Sequence, residues 1–458
     1  MRLLHKLSWA FFYKFGELLR MKKYIYLISS FLFCFSMAKS QNKDSTITDS
    51  ASVETCVNYA LQHYPLLQQS VINEELTNSQ IKSKLDDWYP QIGLNGTVQH
   101  AFQVQRSVVG GQIREAGLAN NSALQFGLTQ NIFNRDALLA SQTKDIVMNA
   151  AKQDTRAEKI DVAVSVSKAY YDVLLTQQQI NVFDEDILRL KRSLKDATSQ
   201  YNAGLVDKID YKRATISLNN SEAQQQSSRE LLKAKYAYLK QLMGYPINQP
   251  LLLSADTSKL EQVAMIDTSA QVDFRNRIEY QQLQTQEQLQ LANLKYQKWD
   301  YLPTVSAVAN YNLNFMNNQF GQLYNRNFPN SFIGLQLGLP IFQGGKRKEA
   351  IKQAKLQLNI TDLSKSNIVN SVNAEYQKAI AIYKGDYANY FALKENLALA
   401  LDVYQTLSLQ YKAGVKTYLD VVTAETDLRS SQISFANALY QLLSDKLDVQ
   451  KALGEIQY

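Results

Sequence analysis

The chain has 458 residues, of which 45% are hydrophobic and 20% are charged, and its formal net charge is +7. Residues 1–40 hold seven Lys or Arg against one Glu, so the rest of the chain carries 42 basic and 41 acidic residues. A nearly neutral remainder gives no basic surface for nucleic acid, and two cysteines exclude a disulfide-rich fold. We therefore expect no nucleic-acid partner.

The first element along the chain is a targeting segment. Met21-Lys22-Lys23 supplies a positive start, an apolar stretch follows, and Ala38-Lys39-Ser40 provides the small residues that a signal peptidase reads. We interpret residues 1–40 as a signal-peptide region, within which residues 1–20 are an upstream start artefact and Met21 is the initiator. Cleavage is expected before Gln41, and an uncleaved membrane anchor is the alternative. Cleavage would leave a single cysteine, Cys56, which we expect to be a buried free thiol.

The remainder contains one architecture twice, at an offset of 210 residues. Tyr201-Asn202-Ala203-Gly204 recurs as Tyr411-Lys412-Ala413-Gly414, and an aspartate follows each glycine six residues later. An offset of this length fits a duplicated domain-sized unit rather than a solenoid. The predicted divisions are a first repeat over residues 41–246, an irregular connector over 247–273 and a second repeat over 274–458.

Each repeat is predicted to run helix, strand, loop, strand, long helix, tight tip, long helix. In the first repeat a helical pattern covers Val53 to Asp87, and apolar residues then alternate with polar ones from Ile92 to Val104. About thirteen residues are enough for a tilted strand to cross a bilayer. After a glycine-rich loop, the alternation resumes. The three remaining predicted strands run from Leu124 to Ile132, from Val305 to Phe315 and from Ile333 to Ile341, with Pro340 marking the end or edge of the last.

Long helices follow each pair of strands. Nothing breaks the helical pattern from Asn134 to Asn202, which would give roughly 100 Å of helix. Returning helices are expected over Asp210–Met243 and Asp420–Leu453. An apolar stripe with steps of three and four residues predicts coiled-coil packing against another helix, and the two tip glycines are expected to end the outgoing helices. The other faces are rich in Gln, Asn, Ser, Thr and Ala, which fits either an ordinary solvated surface or the wall of an aqueous lumen.

The four predicted strands form an incomplete sheet. A sheet with one apolar face and two open edges cannot stand in hydrocarbon, because every unpaired backbone group there costs several kcal/mol. A dimer would supply eight strands and a trimer twelve, and the larger barrel encloses the clearer channel. Aromatic residues at the helix–strand junctions suit a membrane-interface girdle, although ordinary junction packing is the alternative. These residues are Trp88, Tyr89, Trp299 and Tyr301.

The chain resembles the TolC-like outer membrane efflux proteins, the outer membrane factors of tripartite efflux and type I secretion systems. The doubled tip motif and the element order carry this resemblance over nearly all of the mature sequence. It implies a membrane α+β fold with an internal two-fold repeat: a homotrimeric 12-stranded outer-membrane β-barrel, four strands per chain, continued by a long periplasmic α-helical coiled-coil barrel. The implied partners are a periplasmic adaptor (membrane fusion) protein, an inner-membrane transporter of RND, ABC or MFS type, and outer-membrane lipid.

The same resemblance implies roles for the helix tips. The candidate adaptor-docking residues are Gly204, Leu205, Gly414 and Val415, and the candidate periplasmic gate consists of Asp420, Tyr411, Lys416 and Asp210. Asp420 would form a ring of three carboxylates that favours cations, with Thr423 where the family can place a second acidic residue. Tyr411 and Lys416 would hold the gate, with Asp210 as the expected partner. Alternatively, the two aspartates stabilise the N-termini of the returning helices.

The chemistry of the sequence indicates no catalysis. It contains no metal-ligand cluster, phosphate-binding loop or nucleophile motif, so we expect neither enzyme activity nor a metal or cofactor. The predicted function is the outer-membrane exit duct of a tripartite efflux pump, which passively conducts small molecules. An exit duct for type I protein secretion and a non-channel periplasmic coiled-coil scaffold are the alternatives. The sequence leaves the transported substrate open.

Overall fold

A computed structural model describes residues 50–458, apart from residues 205–206 and 255–256. The predicted signal-peptide region and start codon therefore lie outside the described residues. The helices are α1 (Val53–His63), α2 (Pro65–Leu85), α3 (Arg135–Asn202), α4 (Lys208–Met243), α5 (Thr257–Ala264), α6 (Ile278–Lys298), α7 (Lys346–Lys412) and α8 (Tyr418–Leu453). The strands are β1 (Gln91–His100), β2 (Arg106–Val109), β3 (Gln112–Glu115), β4 (Asn120–Phe133), β5 (Thr304–Asn317) and β6 (Asn330–Gly338).

The first predicted helix is two helices, because a proline divides it. Tyr64 adopts an extended conformation, as residues before proline tend to do, and Pro65 becomes the first residue of α2. The prediction of one helix from Val53 to Asp87 was wrong at this point. A short 3₁₀ turn, Asp86–Trp88, then ends α2.

The four long strands form one antiparallel sheet in the order β1-β4-β5-β6. β4 pairs with all of β1 and, on its other side, with β5 from Asn120↔Asn317 to Phe133↔Val305, with one irregularity near the end. β1 and β6 are the outer strands, and within the described part of the chain neither has a second strand partner. The sheet is thus complete in its middle and open at both edges.

Two strand ends differ from the prediction. β1 stops at His100 rather than Val104, because the chain turns into an additional hairpin, β2–β3, whose turn is Gly110-Gly111 with φ of +61° and +80°. Two left-handed residues suit a tight hairpin turn, so the glycine-rich loop forms a hairpin of its own. β6 ends at Gly338, before the proline that was expected to mark its end or edge.

The long helices agree closely with their predictions. α3 has 68 residues and α7 has 67, and each returning helix, α4 and α8, has 36. The Asn134 side chain caps α3 by accepting from the backbone N–H groups of Asp136 and Ala137. Gly204 and Gly414 follow the outgoing helices with φ of +73° and +75°, a left-handed conformation that costs glycine little. No helix within the described ranges is both long enough and apolar enough to cross a bilayer.

The apolar stripes are buried over much of their length, and in both copies a tyrosine on the stripe also contacts the connector, since the Tyr170 hydroxyl of α3 donates to the Ser254 carbonyl at 2.6 Å. In α3, Val166, Val173 and Leu190 are almost fully buried. In α7 the corresponding face carries tyrosines that reach the connector: the Tyr383 hydroxyl donates to the Ala264 carbonyl at 3.0 Å and accepts from the Ile266 N–H at 3.1 Å. The expectation of helix-on-helix packing alone was therefore incomplete. The connector is also less irregular than predicted, since it contains α5.

Candidate functional site

The sheet has one apolar and one polar face, and both faces are exposed in the single chain. On β6, Ile333 is 85% exposed, and Leu335 and Leu337 on the same face are also largely exposed. On the opposite face, the Gln125 amide donates to the Asn310 side-chain oxygen at 3.0 Å, and the Asn312 amide donates to Asn330 at 2.7 Å. These bonds join β4, β5 and β6 across a hydrophilic surface. Exposed apolar residues on one face and bonded amides on the other are what a wall between lipid and water requires.

The four junction aromatics lie in two different environments. Tyr89 is 66% exposed and Tyr301 is 55% exposed. Trp88 and Trp299 are half-buried, and the Trp88 indole N–H donates to the Ser141 hydroxyl at 3.0 Å. The tyrosines are free to meet a membrane interface, and the tryptophans also pack at the junction. Their assignment to a girdle stays a prediction.

A charged clamp at the same junction was missed by the sequence reasoning. Asp300 lies between two arginines, with Oδ1 at 2.5 Å from Nη1 of Arg135 and Oδ2 at 3.0 Å from Nε of Arg347. Arg347 also packs over the Tyr301 ring and donates to the Pro340 carbonyl. The two arginines stand at the starts of α3 and α7, so one carboxylate ties both long helices to the end of the sheet. The recurrence of an arginine at each helix start was the signal in the sequence.

The tips of the two helical hairpins present the predicted docking residues. Gly204 and Gly414 are exposed, and Val415 is 71% exposed. Leu205, the fourth predicted docking residue, lies outside the described residues. In both tips a tyrosine pair bridges the outgoing and returning helices: Tyr201 with Tyr211 at 5.4 Å, and Tyr411 with Tyr418 at 5.9 Å between ring centres.

Among the predicted gate residues, Asp210 lies near Tyr411, and Lys416 lies near Asp420. The Tyr411 hydroxyl donates to the Gln200 side chain of the other hairpin at 3.1 Å, and not to Asp210. Burial raises the pKa of Tyr411, and the negative charge of Asp210 adds to this effect. Asp207, rather than Asp210, caps α4 through the Ile209 N–H.

Asp420 takes part in a capping box at the start of α8. Its Oδ2 accepts from the Thr417 N–H at 3.0 Å and from the Thr417 hydroxyl at 2.8 Å, and Thr417 Oγ1 accepts from the Asp420 N–H at 3.4 Å. These hydrogen bonds lower the pKa of the Asp420 carboxyl, and the nearby Lys416 charge lowers it further. The alternative role predicted for Asp420, stabilising the N-terminus of the returning helix, is therefore observed. The capping contacts leave the carboxylate partly exposed, so they are compatible with a second role in a ring of carboxylates.

A buried charge cluster above the tips also escaped the sequence reasoning. It consists of Asp186 and Arg189 on α3, Ser221 on α4, and Glu425 and Arg429 on α8, and we call it the interhairpin cluster. Arg429 Nη1 donates to Asp186 at 2.8 Å and to Ser221 at 2.8 Å, and Arg189 Nε lies 3.5 Å from Glu425. Burial raises the pKa of Glu425 to about 7, and the charge of Asp186 adds to the increase. Each charge is unremarkable in the sequence, because its burial depends on how the hairpins pack.

The chain is similar in sequence to one protein family and to individual proteins of known role. The outer membrane efflux protein family matches residues 56–245 and 275–455. The chain is 21% identical over 408 residues to outer membrane protein TolC of Escherichia coli (strain K12), covering 86% of this chain and 80% of that protein. It is 20% identical over 317 residues to the proteases secretion protein PrtF of Dickeya chrysanthemi, covering 67% of each.

Two solved structures share the fold. A crystal structure of CusC, described in connection with transmembrane channel formation, superimposes with a TM-score of 0.72 at 14% identity, covering 89% of this chain and 95% of that one. The outer membrane protein VceC of Vibrio cholerae superimposes with a TM-score of 0.69 at 15% identity, covering 88% and 96%. At these identities the likeness concerns the fold alone.

Proposed function

The chain belongs to the outer membrane efflux protein family, and from that premise we propose that it is the outer-membrane exit duct of a tripartite efflux pump. It is located in the outer membrane, with a large periplasmic helical portion. The family consists of conduits, so the chain is not an enzyme. The similar proteins support an exit duct that serves either efflux or secretion. That the duct belongs to an efflux pump is our more specific proposal.

The observation that carries this proposal is the open amphipathic sheet. Because β1 and β6 are its outer strands, three copies arranged in a ring would pair β1 of one copy with β6 of the next. Four strands from each chain then make a barrel of twelve, with the apolar face of β6 toward lipid and the bonded amides toward water. The predicted two-fold repeat supports the same picture, since each repeat contributes two strands to the four-stranded sheet and one helical hairpin.

The helical hairpins make up the periplasmic part of the proposed duct. Their tips carry the exposed residues Gly204, Gly414 and Val415, which are the proposed contacts of an adaptor protein. Asp420, Tyr411, Lys416 and Asp210 are the proposed gate. An inner-membrane transporter would supply the energy, because the proteins of this family are passive conduits.

The test uses two aspartates placed on opposite faces of β6. Ile333→Asp puts a charge on the apolar face, where a charge near the middle of a bilayer costs about 2–4 kcal/mol, and Gln336→Asp puts one on the polar face. We expect the Ile333 variant to fail to insert as a trimer, as judged by native mass spectrometry and heat-modifiable mobility. The Gln336 variant should insert and should conduct in a planar bilayer with increased preference for cations. Trimers that insert but carry no current would favour the scaffold alternative.

A protein-secretion duct is the second candidate, and the likeness to PrtF favours it. Deletion of the gene for this chain in its host distinguishes an efflux duct from a secretion duct. Increased sensitivity to dyes and antibiotics with an unchanged set of secreted proteins supports efflux. Loss of a secreted protein with unchanged sensitivity supports secretion.

A further inference from the structure

The interhairpin cluster joins the two helical hairpins that the gate must separate. Asp186 is the centre: its Oδ2 accepts from Ser221 at 2.7 Å within the first hairpin and from Arg429 of the second at 2.8 Å. Arg189 makes the second crossing, to Glu425 at 3.5 Å. These contacts tie α3 and α4 to α8, some turns above the tips. No comparable buried charge links the hairpins at the tips themselves within the described residues, where Tyr411 and Gln200 meet.

The cluster is poorly satisfied for a buried group. Asp186 is fully buried and Glu425 is 1% exposed. Asp186 Oδ1 and both oxygens of Glu425 accept no hydrogen bond of normal geometry, and Arg189 Nε donates none. Buried charges are costly unless they are paired and bonded, so an ordinary helix interface would carry apolar residues here. Gain or loss of one proton would therefore change the stability of this interface.

The groups that surround Glu425 come from each neighbouring helix. α3 contributes Asp186 and Arg189. α8 itself contributes Arg429 one turn away and Tyr418, whose pKa the charge of Glu425 helps to raise. From α7, Tyr404 lies near, with the Arg189 guanidinium 5.9 Å from its ring centre. α4 contributes the neutral Ser221. With every group ionised, two buried carboxylates would face two partly buried arginines, and Arg429 is already bonded to Asp186. Glu425 has the weakest pairing in the cluster.

We propose that the interhairpin cluster is a lock set by protonation: it holds the two hairpins together while Glu425 is neutral and weakens when Glu425 is ionised. The lock acts on the gate of the duct, so its role in transport depends on the proposed function. Its existence as a conformational element does not.

The direction and size of the effect follow from linkage. Burial raises the pKa of Glu425 from 4.5 to about 7 in the packed arrangement, and exposure to water on separation would return it toward the ordinary value. The stabilisation is therefore fully present below the ordinary pKa and is lost as the pH rises through about 7. Between pH 8 and pH 6 the equilibrium should shift about tenfold toward the packed arrangement.

Two readouts on purified trimers test the lock. The first is the closed fraction of single channels in a planar bilayer between pH 5.5 and pH 8. The second is amide hydrogen exchange in α3 around Asp186 and in α8 around Arg429, corrected for the intrinsic rates at each pH. Glu425→Gln, which keeps the shape of a neutral glutamic acid, should remove the tenfold pH response and should stay in the packed arrangement. Glu230→Gln, at an exposed position on α4, is the matched control and should leave the response unchanged.

A second variant keeps the proposal testable if Glu425→Gln does not fold. Arg189→Met removes the cation nearest to Glu425, so the pKa of Glu425 should rise and the midpoint of the exchange transition should move to higher pH. A tenfold response that persists in Glu425→Gln, or a midpoint that does not move in Arg189→Met, would overturn the proposal. If exchange follows the expected pattern while inserted trimers pass no current, the lock is supported and the proposed duct fails.

Discussion

The role of Asp420 can be resolved by separating its charge from its capping contacts. In the structure its carboxylate accepts two bonds from Thr417, so Asp420→Ala would remove both a proposed ring charge and a helix cap. Three variants separate these effects. Asp420→Ala removes both, Asp420→Asn removes the charge but keeps an oxygen that can accept, and Thr417→Ala keeps the charge but removes the capping hydroxyl.

The size of the capping effect follows from the geometry at Thr417. Loss of a Thr cap typically costs about 1 kcal/mol, and the long 3.4 Å bond from the Asp420 N–H to Thr417 Oγ1 places this cap in the range of about 0.5–1 kcal/mol. Opening of the first turn of α8 should therefore increase about two- to fivefold in Thr417→Ala. Since the pKa of Asp420 is lowered, the capping contribution is present above the ordinary pKa of aspartate and is lost as the pH falls below it.

The assay pairs ion selectivity with local exchange. The ratio of cation to anion permeability is taken from the reversal potential in a salt gradient across a planar bilayer, and the exchange of the Asp420 amide reports the cap. If the ring exists, the two Asp420 variants should lose cation preference to the same extent. Thr417→Ala should retain cation preference and show the faster exchange.

The outcome that would refute the ring is equally specific. If Asp420→Asn keeps wild-type selectivity while Asp420→Ala and Thr417→Ala both show faster opening, Asp420 is a capping residue only. The proposed gate would then have to be reassigned to other tip residues.

Three further predictions concern stability and reactivity. Asp300→Ala should lower the free energy of unfolding by about 3 kcal/mol in chemical denaturation, because it leaves two partly buried arginines unpaired. Loss of the exposed Glu230–Lys233 pair, as a control, should cost under about 0.5 kcal/mol. Equal effects of the two changes would contradict the clamp. Tyr383→Phe should increase exchange at the Ile266 amide about tenfold, since the partly buried N–H loses its acceptor, and unchanged exchange would mean that the connector is held by other contacts. Burial raises the pKa of Cys56 to about 12, so the thiol should resist a thiol reagent at pH 8 until the chain is unfolded; fast reaction in the folded protein would contradict its burial.

The pattern of elements was predictable because its signals are local. Alternation in β4 and β5, the unbroken helical pattern before Gly204 and the glycines at the tips all depend on neighbouring residues in the chain. The same local signals located α3, α4 and α8 to within two residues of their observed ends. The buried free thiol at Cys56 was also confirmed.

The errors arose where a local signal competed with another. Pro65 divides a helix whose apolar pattern continues across it, and the hairpin β2–β3 interrupts an alternation that would otherwise extend β1. The bond from the Tyr411 hydroxyl to Gln200 was not foreseen, because an aspartate at the expected repeat position does not show which side chain the hydroxyl reaches within the chain. The role of Asp210 in the gate stays a prediction.

By itself the sequence determined the order of the long helices and of the four sheet strands, because periodicity acts on each segment alone. The duplication and the closed barrel stay predictions from the sequence. Only the tertiary structure decided which charges meet. Arg135 reaches Asp300 across 165 positions of the chain, and Asp186 reaches Arg429 across 243. Contacts of this kind depend on the rotation and stagger of long helices against one another. A shift of one residue along a helix rotates its side chains by about 100°, so these charges would no longer face each other.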